Sequence, residues 1–242
     1  MVFSIVCLFQ IPQSWMHLFR EPENCNLCHR IKKIDRIENI NPDDFESIYA
    51  YSGRPVIVTD GTKNWSPLST FTFEFFRDLY KDFEEEQNEC QFFPYKTEFL
   101  SLSDALNMSI ERAHLMEGTK PWYFGWSSCN KAATKLLRQH YTRPYFLPTI
   151  SESTTLDWIF MGGPGDGAHL HIDGVKYPSW QAQLSGRKLW RLVPPPECYF
   201  YCHEIEEIVS PGEIIVVDTN RWYHQTFIVS TNVSITIGSE YN

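Results

Sequence analysis

The 242 residues, 43% hydrophobic and 15% aromatic, suffice to bury one substantial core, and a β barrel of this length is commonly one domain. Lys and Arg number 21 against 30 Asp and Glu, a net charge of -9 with the cations scattered. That excludes broad nucleic-acid binding, which needs clustered positive charge, and no stretch is apolar for long enough to span a bilayer.

The apolar run at residues 2–11 is preceded by no basic residue and reads as a loosely packed terminal segment rather than a secretory signal. Cys25-x-x-Cys28 has three readings: half of a zinc site, a redox pair or disulfide chemistry. There is no second CxxC, although His29 and the Cys198/Cys202/His203 cluster are conceivable zinc partners; free or disulfide-linked cysteines fit better. Three sequons occur, at Asn64-Trp65-Ser66, Asn107-Met108-Ser109 and Asn232-Val233-Ser234. A soluble intracellular location is favoured, and the sequons with the seven cysteines keep a secretory lumen open.

Asn41 with Pro42 predicts a helix reaching about Tyr51, ended by Gly53, and residues 55–59 predict a short strand. Further helices are expected over residues 71–83, 102–113 and 131–141, and the acidic run at 84–86 reads as a solvated helix end. From Leu156 onward the pattern changes to short strands divided by turn signals. Residues 162–167 form a glycine-rich loop that is no phosphate cradle, since no Lys-Ser/Thr follows. Ser185-Gly186 predicts a hairpin turn between residues 180 and 193, the stretch between Pro195 and Pro211 a short loop, and Pro211-Gly212 introduces a strand at 213–218. The last two strands, about 222–228 and 232–239, are expected to pair as a terminal hairpin. Together these elements predict one domain, a helical front followed by a β barrel.

His171-Ile-Asp173 places an imidazole and a carboxylate at i and i+2, on one face if the segment is a strand. With His224, in Arg221-Trp-Tyr-His224, they complete two imidazoles and one carboxylate, the facial set that holds non-heme Fe(II) and leaves positions open. The residue set alone leaves zinc or manganese open too. A terminal hairpin turning near Ser230-Thr231 sets His224 opposite Thr236 and Thr226 opposite Ser234 on a polar inner face. Phe227, Val233, Ile235 and Ile237 then make the other face apolar. Lys188, among Leu184, Leu189, Trp190 and Leu192, is either an exposed edge charge or a buried cation that requires an anion.

The ordered set His171-Ile-Asp173, Trp180-Gln-Ala-Gln-Leu-Ser-Gly186-Arg-Lys188-Leu-Trp190, Pro211-Gly-Glu213 and Trp222-Tyr-His224 resembles a JmjC-domain Fe(II)/2-oxoglutarate-dependent oxygenase. Arg54-Pro55-Val-Ile-Val and Asn64-Trp65 extend the likeness, which covers roughly residues 40–242. The branch it looks most like is that of the small JmjC hydroxylases, lysyl hydroxylase and proposed arginine demethylase. The resemblance implies a mostly β fold with α elements, a double-stranded β-helix (jelly-roll or cupin barrel) with N-terminal helices on its outer face. It implies an N-terminal segment over 1–39 and a JmjC domain over 40–242, with a helical front to residue 150 and a barrel core from 151. Fe(II) would be held by His171, Asp173 and His224. Lys188 would pair with the distal carboxylate of 2-oxoglutarate, Thr236 would hydrogen-bond it, and Gln181 stands at a further cofactor position. The implied reaction is oxidative decarboxylation of the keto acid coupled to hydroxylation, more in keeping with the sequence than demethylation.

Three positions depart from the family's pattern. Ala168 replaces a usual Thr or Ser, Gln181 a common Asn, and the tyrosine expected from the preceding helical region aligns with Phe99-Leu-Ser101. His169 faces the same way as His171 if both are on a strand, as a further cofactor contact or as core. The expected partner is a protein or peptide substrate, with oligomeric state, a homodimer included, left open. A JmjC-fold protein that binds without turnover, its 2-oxoglutarate contacts impaired, is the alternative.

Overall fold

Tracts of β-branched and aromatic residues alternate with polar ones along the second half of the chain, and such tracts bury themselves best as stacked sheets. The computed structural model describes residues 22–66, 68–83, 90–95 and 97–242. The apolar run at 2–11 and the acidic run at 84–86 lie outside them. In chain order the strands are β1 (Asp35–Ile37), β2 (Val56–Val58), β3 (Phe92–Phe93), β4 (Tyr123–Ser128), β5 (Ser153–Gly162) and β6 (Gly165–Asp166). There follow β7 (Ser179–Ser185), β8 (Lys188–Val193), β9 (Ile205–Val209), β10 (Ile214–Val217), β11 (Tyr223–Ile228) and β12 (Ser234–Tyr241). They form an eight-stranded sheet, β1-β2-β10-β7-β12-β5-β4-β3, and a four-stranded sheet, β6-β11-β8-β9. From β5 onward the chain passes repeatedly from one sheet to the other, which is the expected jelly-roll barrel.

Two expected hairpins do not form. β7 pairs with β10 and β12 whereas β8 pairs with β11 and β9, so Ser185-Gly186 is a crossing between sheets. Gly186 has φ +67°, and a Cβ there would lie 2.8 Å from Ser230 Oγ, so the crossing needs glycine. Likewise β11 pairs with β6 and β8, and β12 with β5 and β7. His224 therefore stands opposite Leu192 and Thr226 opposite Trp190, while Thr236 lies between Phe160 and Gln183. The alternation of polar and apolar residues fixed which face each strand turns inward. A strand facing its successor across a barrel shows the same alternation as one paired with it.

Period-two burial divides the apolar residues between two clusters. On β10, Ile214 and Val216 join a cluster with Phe45, Phe76, Trp126 and Ile237, beneath the helices. Ile215 and Val217 point the other way, to a cluster with Ile57, Trp190, Leu192 and Trp222 between the sheets. The helices are α1 (Pro42–Phe45), continued by a π turn over Glu46–Ala50, α2 (Phe73–Lys81), α3 (Leu102–Leu106), α4 (Ile110–Ala113) and α5 (Lys131–Leu137). The expected helix over 102–113 is two, because Ser109 accepts the Arg112 N–H and starts α4 afresh. The glycine-rich loop contains β6, and the stretch before Pro211 contains β9.

Cys25 is bonded to Cys198, Cys28 to Cys202 and Cys90 to Cys129. The CxxC cysteines are thus joined not to each other but to the segment between β8 and β9, and Cys28, Cys198 and Cys202 belong to the inter-sheet cluster.

Candidate metal centre

His171, Asp173 and His224 come together at the mouth of the barrel, each offering one ligand atom, all within 4.8 Å of one another. His171 is not in a strand. Its backbone makes a single bridge with His224 on β11, N–H to O in both directions at 3.1 and 2.8 Å. The Asp173 N–H donates to Thr219 O at 2.9 Å, so the carboxylate is positioned by the turn after β10 rather than by strand geometry. His171 Nε2 lies 3.2 Å from Asp173 Oδ1, and His224 Nε2 lies 3.9 Å from Asp173 Oδ2.

The other ring nitrogens explain the orientation. His171 Nδ1 is 2.6 Å from the His169 carbonyl oxygen, and His224 Nδ1 is 3.2 Å from that of Trp222. A carbonyl only accepts, so in the neutral rings Nδ1 carries the proton and the Nε2 lone pairs turn toward Asp173. This is the arrangement that prepares imidazoles to ligate a metal. Burial pulls the His224 imidazole down to about 4, despite Asp173, and keeps it neutral near pH 7. Burial also opposes charge on His171, but the Asp173 hydrogen bond and charge outweigh it and raise its pKa. At Asp173 burial raises, and the two imidazoles more than offset it, leaving the carboxyl below its usual range. The Trp190 ring stacks on His224 at 5.9 Å.

Behind the three residues a cavity of about 380 Å³ runs between the sheets, lined by Tyr95, Trp158, Phe160, Gln181 and Trp190 and reaching Lys188. Lys188 starts β8 and is 1% exposed. Its Nζ donates to Thr236 Oγ1 on β12, lies 3.3 Å from Tyr123 Oη, and sits 5.6 Å from the centroids of the Tyr123 and Phe160 rings. Thr236 in turn donates to Gln183 Oε1 at 3.1 Å. Among the described residues no carboxylate lies within ion-pair distance of Lys188, and burial lowers its pKa from 10.5 to about 7.

The six residues singled out from the sequence thus all reach one place, five of them lining the cavity directly and Thr236 through Lys188. The Lys188–Thr236 contact crosses the barrel from one sheet to the other rather than running between paired strands. Gln181 lines the wall from β7. His169 is exposed at the cavity, its ring 5.3 Å from His171, and is not core. Tyr123 and Gln183 were missed. The expected tyrosine position, at 99–101, does not supply a phenol; Tyr123 on β4 does, and the alternation in Trp122-Tyr-Phe-Gly-Trp126 was the available signal. Beside Ala168, where a hydroxyl is lacking, Thr226 Oγ1 accepts the Ala168 N–H at 2.9 Å and brings a hydroxyl to the cavity from β11.

No family model matches the chain. Among curated proteins it is similar to the arginine-specific demethylase JMJ20 of Arabidopsis thaliana, 23% identical over 265 residues, 85% of this chain and 57% of that protein. It is also similar to the bifunctional arginine demethylase and lysyl-hydroxylase psr-1 of Caenorhabditis elegans, 25% identical over 185 residues, 72% of this chain and 44% of that one. A shorter match, 27% over 106 residues, covers 32% of this chain and 25% of the 2-oxoglutarate and iron-dependent oxygenase JMJD4 of Danio rerio. The chain spans about half the length of the first two relatives. Two structures of YcfD, a ribosomal oxygenase from Escherichia coli, share the fold at TM-score 0.51, one of them in complex with cobalt and 2-oxoglutarate. They are 16% and 19% identical and the match covers 84% of this chain and 51% and 52% of theirs. In sequence and in fold, this chain is similar to the JmjC-domain oxygenases.

Proposed function

We propose that the chain is an Fe(II)- and 2-oxoglutarate-dependent dioxygenase that hydroxylates a side chain of a protein or peptide. The observation that carries this reading is the pairing of two unlike sites in one cavity: a two-imidazole, one-carboxylate cluster, and a buried lysine lacking an anion. The donor set suits iron, because three ligands on one side leave the cavity side open, whereas structural zinc is enclosed by four. His171, Asp173 and His224 would hold the metal. Lys188 would pair with the distal carboxylate of 2-oxoglutarate, with Thr236, Tyr123 and Gln181 as its polar neighbours. When bound, iron and the keto acid supply oxygen activation, with succinate, CO2 and a hydroxylated side chain as products.

The chain's own residues do the rest. His169 and Trp222 carbonyls orient the two imidazoles, Trp190 stacks on His224, and Trp158 and Phe160 give the cavity an aromatic wall. Residues 40–242 would form the catalytic domain, and the segment before residue 40 would pack on it, as β1 does by pairing in parallel with β2.

The test is to incubate purified protein with Fe(II), 2-oxoglutarate and ascorbate and to measure succinate with and without peptide substrates. Turnover lost in His171→Ala and Asp173→Ala supports the reading. A product that keeps one added oxygen indicates hydroxylation; formaldehyde release indicates demethylation. Metal binding with neither 2-oxoglutarate binding nor turnover defeats the proposal and marks a protein that binds without catalysis.

A further inference from the structure

All six cysteines among the described residues are paired, and the three sequon asparagines are all on the surface. The pairs join residues 173, 174 and 39 positions apart with Cα–Cα distances of 5.3, 5.5 and 5.4 Å, within the range that a disulfide requires. Two of them lie in the apolar cluster between the sheets, where Cys28, Cys198 and Cys202 are at most 5% exposed beside Leu27, Ile31, Trp190 and Trp222. Such cross-links persist in oxidising compartments and are rare where glutathione keeps thiols reduced.

A four-cysteine zinc site is the rival account of Cys25, Cys28, Cys198 and Cys202, whose CxxC and CxxxC spacings would suit it. It leaves Cys90–Cys129 unexplained. That pair has no further cysteine to join it among the described residues, the other four being bonded to one another, yet it too is closed. Zinc explains at most two of the three pairs; oxidation explains all of them.

The asparagines add an independent observation. Asn107 ends α3, and Asn232 lies in the connection between β11 and β12; both are exposed, and neither lines the cavity behind His171, Asp173 and His224. A glycan on either would project into solvent and leave the cavity clear. Asn64 is exposed too, but Pro67 directly follows its Ser66 and restricts that residue's backbone.

We propose that this protein matures in an oxidising, glycosylating compartment, with three disulfides and N-linked glycans on Asn107 and Asn232. Each disulfide forms as two thiols give two protons and two electrons to an incoming protein or glutathione disulfide, which leaves as two thiols. Each glycan forms as the asparagine Nδ2 exchanges one hydrogen for the anomeric carbon of a sugar carried on a lipid pyrophosphate. That pyrophosphate leaves with the proton. The proposal does not depend on the oxygenase reading; if both hold, the substrates are proteins that pass through the same compartment.

The test uses the full chain isolated from the cells that make it, alkylated before lysis. Expected are resistance of Cys25, Cys28, Cys90, Cys129, Cys198 and Cys202 to alkylation until a reductant is added, and linked peptides matching the three pairs. An amidase that removes N-linked glycans should shift the mobility by two steps, with Asn107→Gln and Asn232→Gln each abolishing one. Free thiols at these positions overturn the proposal, as does zinc bound by Cys25, Cys28, Cys198 and Cys202. A mobility unchanged by the amidase overturns it as well.

Discussion

At the mouth of the cavity Asp173 lies between two imidazoles whose far nitrogens are held by backbone carbonyls, and its side chain is 30% exposed. At the depth of the same cavity Lys188 is 1% exposed and has, among the described residues, only neutral partners, a threonine, a phenol and two aromatic faces. The first charge is favoured by groups within the protein, the two imidazoles that hold the Asp173 carboxyl below its usual range. The second is balanced only when something anionic enters, so the fold itself carries the cost of an incomplete site. The difference separates two kinds of preparation: under the proposed function the His171/Asp173/His224 cluster is oriented before a metal arrives, while the lysine pocket would be completed only by a carboxylate.

That contrast can be broken most severely at the mouth. His171→Ala, Asp173→Ala and His224→Ala should each reduce succinate formation to background, and metal titration by calorimetry should show the loss at its source. At the depth the expected effects have opposite signs. Lys188→Met should weaken 2-oxoglutarate binding by about 3–5 kcal/mol, roughly two to nearly four orders of magnitude, because the incoming carboxylate is left buried and unpaired. The same change should stabilise the ligand-free protein by about 1–4 kcal/mol, read as a raised unfolding midpoint in denaturant. A Lys188→Met protein that is less stable without ligand would show that the lysine is not an uncompensated charge.

pH sharpens the comparison further. Lys188 releases its proton near 7 in the folded chain and near 10.5 when unfolded. Between those values the unfolded state holds more protons, so stability of the ligand-free protein rises with pH, by up to about 1.4 kcal/mol per unit. The difference between wild type and Lys188→Met in pH-dependent melts isolates this contribution, and 2-oxoglutarate affinity should fall over the same window. The smallest effect is expected from Tyr123→Phe, which removes one neutral hydrogen-bonding partner of Lys188 and should cost about 0.5–1.5 kcal/mol of 2-oxoglutarate binding.

Much of this was legible in the residues. His171-Ile-Asp173, Lys188 and His224 could be found as types at spacings, and the polar inner faces of β11 and β12 followed from alternation. What alternation does not encode is the partner. His224 was set opposite Thr236 by a hairpin that does not exist, yet both side chains turn inward, because facing and pairing leave the same trace in a sequence. The disulfide partners were hidden for a related reason: Cys25 and Cys198 meet only through the fold, and no local rule spans 173 residues. Tyr123 was overlooked because Trp122-Tyr-Phe reads as core, and its two neighbours are indeed buried in the cluster beneath the helices.

The cross-link from Cys25 to Cys198, doubled by that from Cys28 to Cys202, also closes residues 25 to 198 into a covalent ring. A protease that cuts the exposed turn around Gly118 opens that ring without dividing the molecule. The nicked chain would keep the mass of one piece until reduced. The strand bearing Lys188, enclosed by the ring, and the strand bearing His224, just beyond it, would stay tethered to the segment that precedes the barrel.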